Sequence, residues 1–307
     1  MSFKTVIIIA GPTASGKTDL AMELANYFDT SIISADSRQC FRELNIGVAK
    51  PDKEQLQAVK HYFINSHSVH DPVNAAIFEH LALTWCNEIF TTKDVAIMCG
   101  GTGLYIRAFC DGLDDIPTID EAVRLQILQN YKEHGKSWLQ SCLKETDSLY
   151  FETGEMENPQ RMMRALEVKQ TTGNSILSYQ NRNKTLRPFR ILTFGLQVNR
   201  KILYDRINIR VDKMMESGLL AEASSLRPLQ HLNALQTVGY KEIFDHLQGK
   251  TELDEAVSLI KQNTRHYAKR QMTWFSKDKN LDWLENDYLK RITEAYAAAK
   301  ISVRQTK

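Results

Sequence analysis

One short segment near the N-terminus constrains the fold of this chain more than any other. The sequence GPTASGKT, residues 11–18, follows a β-branched apolar run at 6–10 and overlaps a segment, 17–27, in which apolar residues recur at helical spacing. Between a strand and a helix, a glycine-rich loop of this kind turns consecutive backbone N–H groups inward around phosphate oxygens. The pattern therefore predicts a phosphate-binding loop (P-loop) at the end of a strand in an α/β fold.

The residues of this loop indicate a phosphate or diphosphate ligand. They are Gly11, Pro12, Thr13, Ala14, Ser15, Gly16, Lys17 and Thr18. Lys17 would add a positive charge to the ring of backbone amides, and Thr18 would offer a hydroxyl to Mg²⁺. Kinases, nucleotide hydrolases and some diphosphate-releasing transferases can all use such a loop, so it leaves the reaction open.

Further strand-like runs follow along the chain. They are residues 31–34, 95–98 and 190–198, and helix-length segments such as 75–90 separate them. Alternating strands and helices predict a parallel sheet of the P-loop NTPase-like type, flanked by helices. Beyond Val198 the chain is expected to be helical, with long amphipathic segments at 201–226 and 254–275.

The alternation is interrupted between Gly112 and Arg187. Within this stretch, residues 120–134 form one helical pattern, and Asn158-Pro159 has the N-cap and first-turn residues that begin another. We therefore predict an all-helical insertion domain at 115–186. The rest of the chain, 1–114 and 187–307, would form the P-loop core with its C-terminal helices.

Charge and cysteine content limit the possible partners and compartment. The chain has 307 residues and a formal net charge of +2, so RNA binding would require local clusters of lysine and arginine. Its five cysteines contain no Cys-x-x-Cys pair, which indicates reduced thiols and no zinc site. No apolar stretch approaches the roughly 20 residues of a membrane span. We expect a cytoplasmic protein without a membrane partner, and a monomer, since nothing demands a second copy.

The acid that most phosphoryl-transfer enzymes place at a strand end is missing after the run 95–98. Asp36 instead follows the second strand, where parallel sheets present ligand-binding residues, and Ser37, Arg38 and Gln39 come directly after it. An Asp in a turn is usually only a cap. A carboxylate beside a guanidinium and an amide can also accept a proton while its neighbours hydrogen-bond a planar polar ligand.

Seven motifs together resemble one enzyme family. In chain order they are GPTASGKT, ISADSRQ, GGTGLY, NPQRMMRALEV, RVDKMMESGL, TVGYKE and TRHYAKRQMTWF, between residues 7 and 275. This series is similar to that of the bacterial tRNA dimethylallyltransferase (IPP transferase) family. The resemblance implies transfer of a dimethylallyl group from dimethylallyl diphosphate to N6 of the adenosine 3′-adjacent to the anticodon in tRNA. It also implies a need for Mg²⁺.

The resemblance assigns roles to individual residues. Asp36 becomes the general base, Thr18 a ligand of Mg²⁺ and diphosphate, and Arg210 a further catalytic cation on the diphosphate. Residues that match tRNA-contacting positions are Asp36, Ser37, Arg38, Gln39, Thr102, Arg124, Gln160, Arg161, Met162, Met163 and Arg164. Periodicity alone favours a different interpretation of the last group, a charged helix face above a core stripe that contains both methionines.

A basic segment in the C-terminal part offers a surface for RNA phosphates. Residues 261–279 carry six basic side chains and one acidic side chain, Asp278, a net charge of +5. A solvated helix face is the default for such a run, but this concentration in a nearly neutral protein suits phosphate binding. We predict that Arg265, Lys269 and Arg270 contact the tRNA anticodon stem-loop.

Three other functions fit parts of the sequence. The same fold could prenylate a free adenine nucleotide, but the insertion and the basic helix favour RNA as the acceptor. A small-molecule kinase is a second alternative, and the missing strand-end acid argues against it. A non-catalytic RNA-binding protein is a third, and the intact Lys17, Thr18 and Asp36 argue against that.

Overall fold

The computed structural model describes residues 4–180 and 184–305. The strands are β1 Thr5–Ala10, β2 Ile32–Ser34, β3 His61–Tyr62, β4 Val95–Gly100, β5 Arg190–Leu196 and β6 Leu281–Leu284. The helices are α1 Lys17–Tyr27, α2 Lys53–Ala58, α3 Ala75–Phe90, α4 Gly103–Asp111, α5 Glu121–Thr146, α6 Ser148–Thr153, α7 Pro159–Thr172, α8 Arg200–Glu216, α9 Leu219–Leu226, α10 Tyr240–Leu247, α11 Leu253–Phe275 and α12 Tyr288–Gln305. None of the described helices is long and apolar enough to span a bilayer.

The chain forms two compact units. One, here called the core unit, runs up to Cys110 and resumes at Leu186, and the other, the insertion unit, is Asp111–Thr185. The insertion predicted from the sequence, 115–186, has slightly different bounds.

All six strands of the core unit pair in parallel in the order β3-β2-β4-β1-β5-β6. The predicted parallel α/β fold is therefore confirmed. The order places the end of β4 between the end of β1, where the P-loop begins, and the end of β2, which leads to Asp36. Ligand-binding residues that follow these three strands consequently share one edge of the sheet.

Side chains of β1 alternate between the two faces of the sheet. Ile7 and Ile9 belong to a core with Leu24 of α1 and Ile292 of α12. Val6, Ile8 and Ala10 belong to the larger core on the other face, which includes side chains of α3, α4, α10 and α11. Because both faces are covered by helices, β1 is apolar along nearly its whole length, as central parallel strands are.

Two expectations for the C-terminal part were wrong. The segment 201–226 is not one helix, because Gly218, with φ of 98°, separates α8 from α9. The chain beyond Val198 is also not entirely helical, since Leu281–Leu284 adds β6 beside β5. A strand of four residues is too short to show a periodic signal, and its edge position is set by pairing with β5 rather than by its own pattern.

The insertion unit is built from helices, as predicted. Asp120 caps α5 through a hydrogen bond from the Ala122 backbone amide, and Gly135, with φ of 72°, breaks this helix. Asn158 and Gly173 bound α7 at its two ends. The unit has its own core, which includes Ile127, Leu139, Leu143, Tyr150, Met162, Met163, Leu166, Val168 and Ile176.

Candidate active site

The P-loop connects β1 to α1 in the conformation that the sequence predicts. Gly16, with φ of 93°, is the N-cap of α1, and Ala14 also has a positive φ, 63°. The backbone amides of the first turn of a helix have no intrahelical acceptor, so α1 presents open N–H groups to this loop. The Ser15 hydroxyl is buried and has no hydrogen-bond partner among the described residues.

Two cations lie at the P-loop: Lys17 within it and Arg210 beside it. The Lys17 ammonium donates a hydrogen bond to the Pro12 carbonyl, and Arg210 of α8 donates through Nη1 to Thr13 Oγ1 at 3.2 Å. Loss of hydration in this enclosed position, together with the nearby Arg210 charge, lowers the pKa of Lys17 to about 8, although Cys99 and Asp36 act in the opposite direction. Burial also lowers the pKa of Arg210. Such a cluster of poorly hydrated cations is suited to a multiply charged anion.

Asp36 caps a turn and keeps one carboxylate oxygen available, so the two roles that the sequence left as alternatives are compatible. Its Oδ1 accepts hydrogen bonds from the backbone amides of Arg38 at 2.8 Å and Gln39 at 3.3 Å, so it caps the turn after β2. Oδ2 has no hydrogen-bond partner in the part of the chain that the structure describes. The turn thus fixes the orientation of the carboxylate and leaves one oxygen for a ligand.

The GGTGLY segment joins the end of β4 to the Asp36 turn. Thr102 Oγ1 accepts a hydrogen bond from the Ser37 amide at 3.1 Å, and the Thr102 amide donates to the Ala35 carbonyl at 3.2 Å. A Cβ atom on Gly100 would lie 2.2 Å from that same carbonyl oxygen. Only glycine therefore allows the backbones after β2 and β4 to approach this closely.

The Gln39 side chain forms hydrogen bonds within the protein through both its nitrogen and its oxygen. Its Nε2 donates to the carbonyls of Val48 at 3.3 Å and Ala49 at 3.0 Å, and its Oε1 accepts from the Ser34 hydroxyl at 3.1 Å. The amide expected to contact RNA is thus engaged in holding the 48–49 loop. The Arg38 guanidinium, by contrast, makes no hydrogen bond to any described residue.

Helix α11 contributes two site residues that the sequence reasoning missed. Gln271, 6% exposed, accepts through Oε1 from the Thr13 amide at 2.8 Å and donates through Nε2 to the Gly101 carbonyl at 2.9 Å. Tyr267 lies beside Asp36, Arg38 and Thr102; desolvation, reinforced by the Asp36 charge, raises the pKa of its phenol to about 12.

These elements enclose a cavity of about 470 Å³. Predicted residues that line it are Thr13, Ala14, Ser15, Gly16, Lys17, Thr18, Asp36, Ser37, Arg38, Gln39 and Arg210. Gly11 and Pro12 are not lining residues, and Thr102 is connected to the cavity through Ser37 and Tyr267. Residues 13–18 of the predicted diphosphate-binding loop and residues 36–39 of the predicted tRNA-contacting set therefore line one space.

The cavity can accept a hard cation through Thr18. Thr18 lines the cavity, and its hydroxyl has no hydrogen-bond partner within the described ranges. No group of three His, Cys, Asp or Glu side chains there could hold a metal ion by itself. An oxygen ligand beside a phosphate-binding loop fits Mg²⁺, which commonly binds through few protein ligands together with substrate phosphates.

The basic residues of α11 differ in how free they are. Lys261 Nζ lies 2.6 Å from Oδ1 of Asp212 on α8. Asp212 lies outside residues 261–279, so the net charge of +5 for that segment does not include it. Arg265 donates to Asn208 Oδ1 at 2.8 Å. Lys269 and Arg270 are exposed. The surface predicted to bind RNA phosphates is therefore carried mainly by Arg265, Lys269 and Arg270, with Lys261 already neutralised.

In the insertion unit, the predicted tRNA-contacting set separates into two kinds of residue. Met162 and Met163 are 0% and 6% exposed and lie in the core of the unit. The core-stripe interpretation is thus confirmed for both methionines, whose side chains present almost no surface to RNA in this structure. Gln160 and Arg161 are exposed.

Two arginines of that set share one carboxylate. Arg164 Nη1 lies 3.2 Å from Glu167 Oε2, and Arg124 Nε lies 4.0 Å from Glu167 Oε1. The Glu167 side chain is largely buried and lies within ion-pair distance of both guanidinium groups, which are therefore on the same side of the unit. This pairing brings Arg124 and Arg164 together although they are far apart in the sequence.

Comparisons with known proteins agree with the motifs. A family model described as IPP transferase matches residues 39–278. The tRNA dimethylallyltransferase of Christiangramia forsetii is 46% identical over 297 residues, 97% of this chain and 98% of the relative. The tRNA dimethylallyltransferase 1 of Bacteroides thetaiotaomicron is 44% identical, with 94% of each chain covered. A solved tRNA isopentenylpyrophosphate transferase from Bacillus halodurans has a TM-score of 0.71 at 34% identity, covering 99% of this chain and 98% of that one.

The relatives match nearly the full length of the chain, including the P-loop and the Asp36 turn that precede the family-model match. The structural match to the solved relative covers 99% of this chain and so includes both the core unit and the insertion unit. The resemblance indicated by the seven motifs is therefore confirmed, and the chain belongs to the IPP transferase family.

Proposed function

We propose that this chain transfers a dimethylallyl group from dimethylallyl diphosphate to N6 of the adenosine 3′-adjacent to the anticodon in tRNA. The observation that carries the proposal is the single cavity lined both by a P-loop with two cations and by a carboxylate with a free oxygen. A leaving diphosphate and a proton acceptor are the two requirements of this reaction.

The P-loop serves the leaving group. As the bond between C1 of the allyl group and the diphosphate oxygen breaks, its electron pair stays on the diphosphate. Lys17, Arg210 and the open amides of α1 are already in place to stabilise this negative charge, so little reorganisation is needed. The fixed position of Arg210 on Thr13 holds this cation at the loop.

Asp36 serves the acceptor. The lone pair of an aromatic amine is delocalised into the ring, so bond formation between N6 and C1 is assisted by removal of an N6 proton. Asp36 Oδ2 can accept that proton while Oδ1 stays bound to the turn amides. The products are the N6-prenylated adenosine, diphosphate and a proton on Asp36 that passes to solvent.

Magnesium is the expected cofactor. We propose that the Thr18 hydroxyl holds it together with oxygens of the diphosphate, consistent with the position of this hydroxyl on the cavity wall. When bound, the ion supplies Lewis-acid stabilisation of the leaving group.

The acceptor is expected to be RNA rather than a free nucleotide. The basic side chains of α11 continue along the helix whose Tyr267 and Gln271 line the cavity, so phosphate contacts and the reacting base can be supported by the same element. The target base has to leave the anticodon loop to enter such a cavity. We expect a monomer that acts in the cytoplasm.

The decisive experiment supplies labelled dimethylallyl diphosphate and Mg²⁺ with either total tRNA or AMP. We expect label in tRNA, and nucleoside digestion should recover it on N6 of adenosine. Label found only in AMP would replace the proposal with an adenylate prenyltransferase. A phosphorylated product formed from ATP would identify a small-molecule kinase instead.

A further inference from the structure

Helix α11 presents one continuous face to the cavity. Ile260, Thr264, Tyr267 and Gln271 all line it, and their spacing of four, three and four residues places them on one side of the helix. Gln271, at one end, is bound to the P-loop and to Gly101. Tyr267, one turn away, is the member of this face that lies beside Asp36.

Few hydrogen-bond donors near Asp36 remain available to a ligand. The Gln39 amide is occupied by Val48 and Ala49, so it cannot also bind a base. The Ser37 hydroxyl, Arg38 and the Tyr267 phenol are the remaining candidates at this part of the cavity. Of these three, only the phenol is on α11, where it lies beside Thr102.

Thr102 lies between Ser37 and Tyr267 and can orient the phenol. The Thr102 hydroxyl oxygen already accepts from the Ser37 amide, and its own proton can be donated to the Tyr267 oxygen. The phenol proton is then free to point into the cavity. The raised pKa of Tyr267, about 12, keeps that proton in place at neutral pH.

We propose that Tyr267 selects and positions the acceptor base by donating a hydrogen bond to the adenine ring nitrogen next to N6, while Asp36 accepts from the N6 amine. This inference rests on the proposed function. A donor beside an acceptor matches adenine, which offers a ring-nitrogen acceptor adjacent to its amino donor. Guanine carries the acceptor O6 where adenine has its amino group, and this oxygen would face the Asp36 carboxylate.

The same hydrogen bond has a consequence for the reaction. Donation to a ring nitrogen draws electron density from the ring, and the N6 protons become more acidic. Proton transfer to Asp36 is thereby assisted, while the phenol itself exchanges no proton. Tyr267 is therefore a positioning residue that touches the base, with Thr102 and Ser37 fixing its direction.

The test measures single-turnover rates for wild type and Tyr267→Phe on anticodon stem-loops that carry adenosine, 1-deazaadenosine or 7-deazaadenosine at the target position. We expect Tyr267→Phe to slow transfer to adenosine about 10-fold, the effect of one lost neutral hydrogen bond. The deaza analogue that lacks the hydrogen-bonded ring nitrogen should slow the wild-type enzyme by a similar factor. With that analogue, Tyr267→Phe should cause no further loss of rate. The dissociation constant of the stem-loop should change less than the rate.

Tyr296→Phe, which removes a phenol from α12 outside the cavity lining, is the matched control and should keep the wild-type rate on every substrate. Thermal unfolding of both variants verifies that they are folded. The role of Tyr267 is overturned if Tyr267→Phe keeps the wild-type rate on adenosine. It is also overturned if the rate loss from the variant multiplies the rate loss from the analogue for both deaza analogues. Wild type that transfers nothing to the unmodified stem-loop instead refutes the proposed function, so the two failures are distinguishable.

Discussion

Asp36 is the side chain on which the proposed chemistry depends most. Asparagine at this position keeps an oxygen that can accept from the Arg38 and Gln39 amides, so the turn should persist. It cannot take up the amine proton. We expect Asp36→Asn to lower the single-turnover rate by about 10²- to 10⁴-fold, as for loss of a general base, with a much smaller change in tRNA affinity.

The control for this substitution is Asp71→Asn, an exposed aspartate whose Oδ2 accepts from the Ser68 amide. It removes the same charge from a comparable turn and should leave the rate unchanged. Retention of the wild-type rate in Asp36→Asn would reduce Asp36 to a cap, and the proton acceptor would have to be sought elsewhere in the cavity.

Lys17 should make diphosphate binding depend on pH. Its pKa of about 8 in the free protein means that the ammonium is present below that pH and is progressively lost above it. The dissociation constant of inorganic diphosphate should therefore rise as the pH increases through about 8. Lys17→Arg keeps the charge at all these pH values and should lack this step.

Calorimetric titrations of wild type and Lys17→Arg between about pH 7 and pH 10 test this expectation. Ionisation of diphosphate itself is common to both proteins, so the ratio of their dissociation constants isolates Lys17. A ratio that stays constant across the series would show that Lys17 keeps its proton throughout.

At the scale of the elements, α11 and the P-loop are joined by Gln271. Replacing it with leucine would leave the Thr13 amide and the Gly101 carbonyl without their partner. A buried polar group left unsatisfied costs about 1–3 kcal/mol, so Gln271→Leu should lower the free energy of unfolding by about that amount. Diphosphate should also bind more weakly, because Thr13 belongs to the loop that binds it.

Gln262→Leu, at an exposed position of the same helix, is the control for denaturant unfolding. Equal losses of unfolding free energy in both variants would contradict this role of Gln271.

The sequence predicts those parts of the site that are local in the chain. The P-loop, the bounds of α1 and α3, and the caps of α7 follow from residues a few positions apart. Gln271 meets Thr13 across 258 residues, and no local pattern indicates this contact. The spacing of Tyr267 and Gln271 on one face of α11 could have marked them as partners, but the basic residues on the same helix gave the stronger signal.

At the scale of the whole molecule, the net charge of +2 conceals a strongly uneven distribution. Lys261 is paired with Asp212, and Arg124 and Arg164 share Glu167. These pairings explain why counting charges along one helix overestimates the cations available to RNA. The residues of α11 that remain are Arg265, Lys269 and Arg270.

If Arg265, Lys269 and Arg270 contact RNA phosphates, each contact releases counterions, and tRNA affinity should fall steeply with salt. Replacing all three with alanine should lower the slope of log K against log salt by about 2–3. Affinity should drop about equally for every tRNA, because phosphate contacts carry no sequence information. Alanine at Lys53, Lys290 and Lys300 removes the same charge from exposed positions on α2 and α12 and should leave the slope nearly unchanged. Dissociation constants measured across a salt series distinguish phosphate contacts from a solvated helix face. The same slope in both triple variants would show that the α11 residues form an ordinary solvated face.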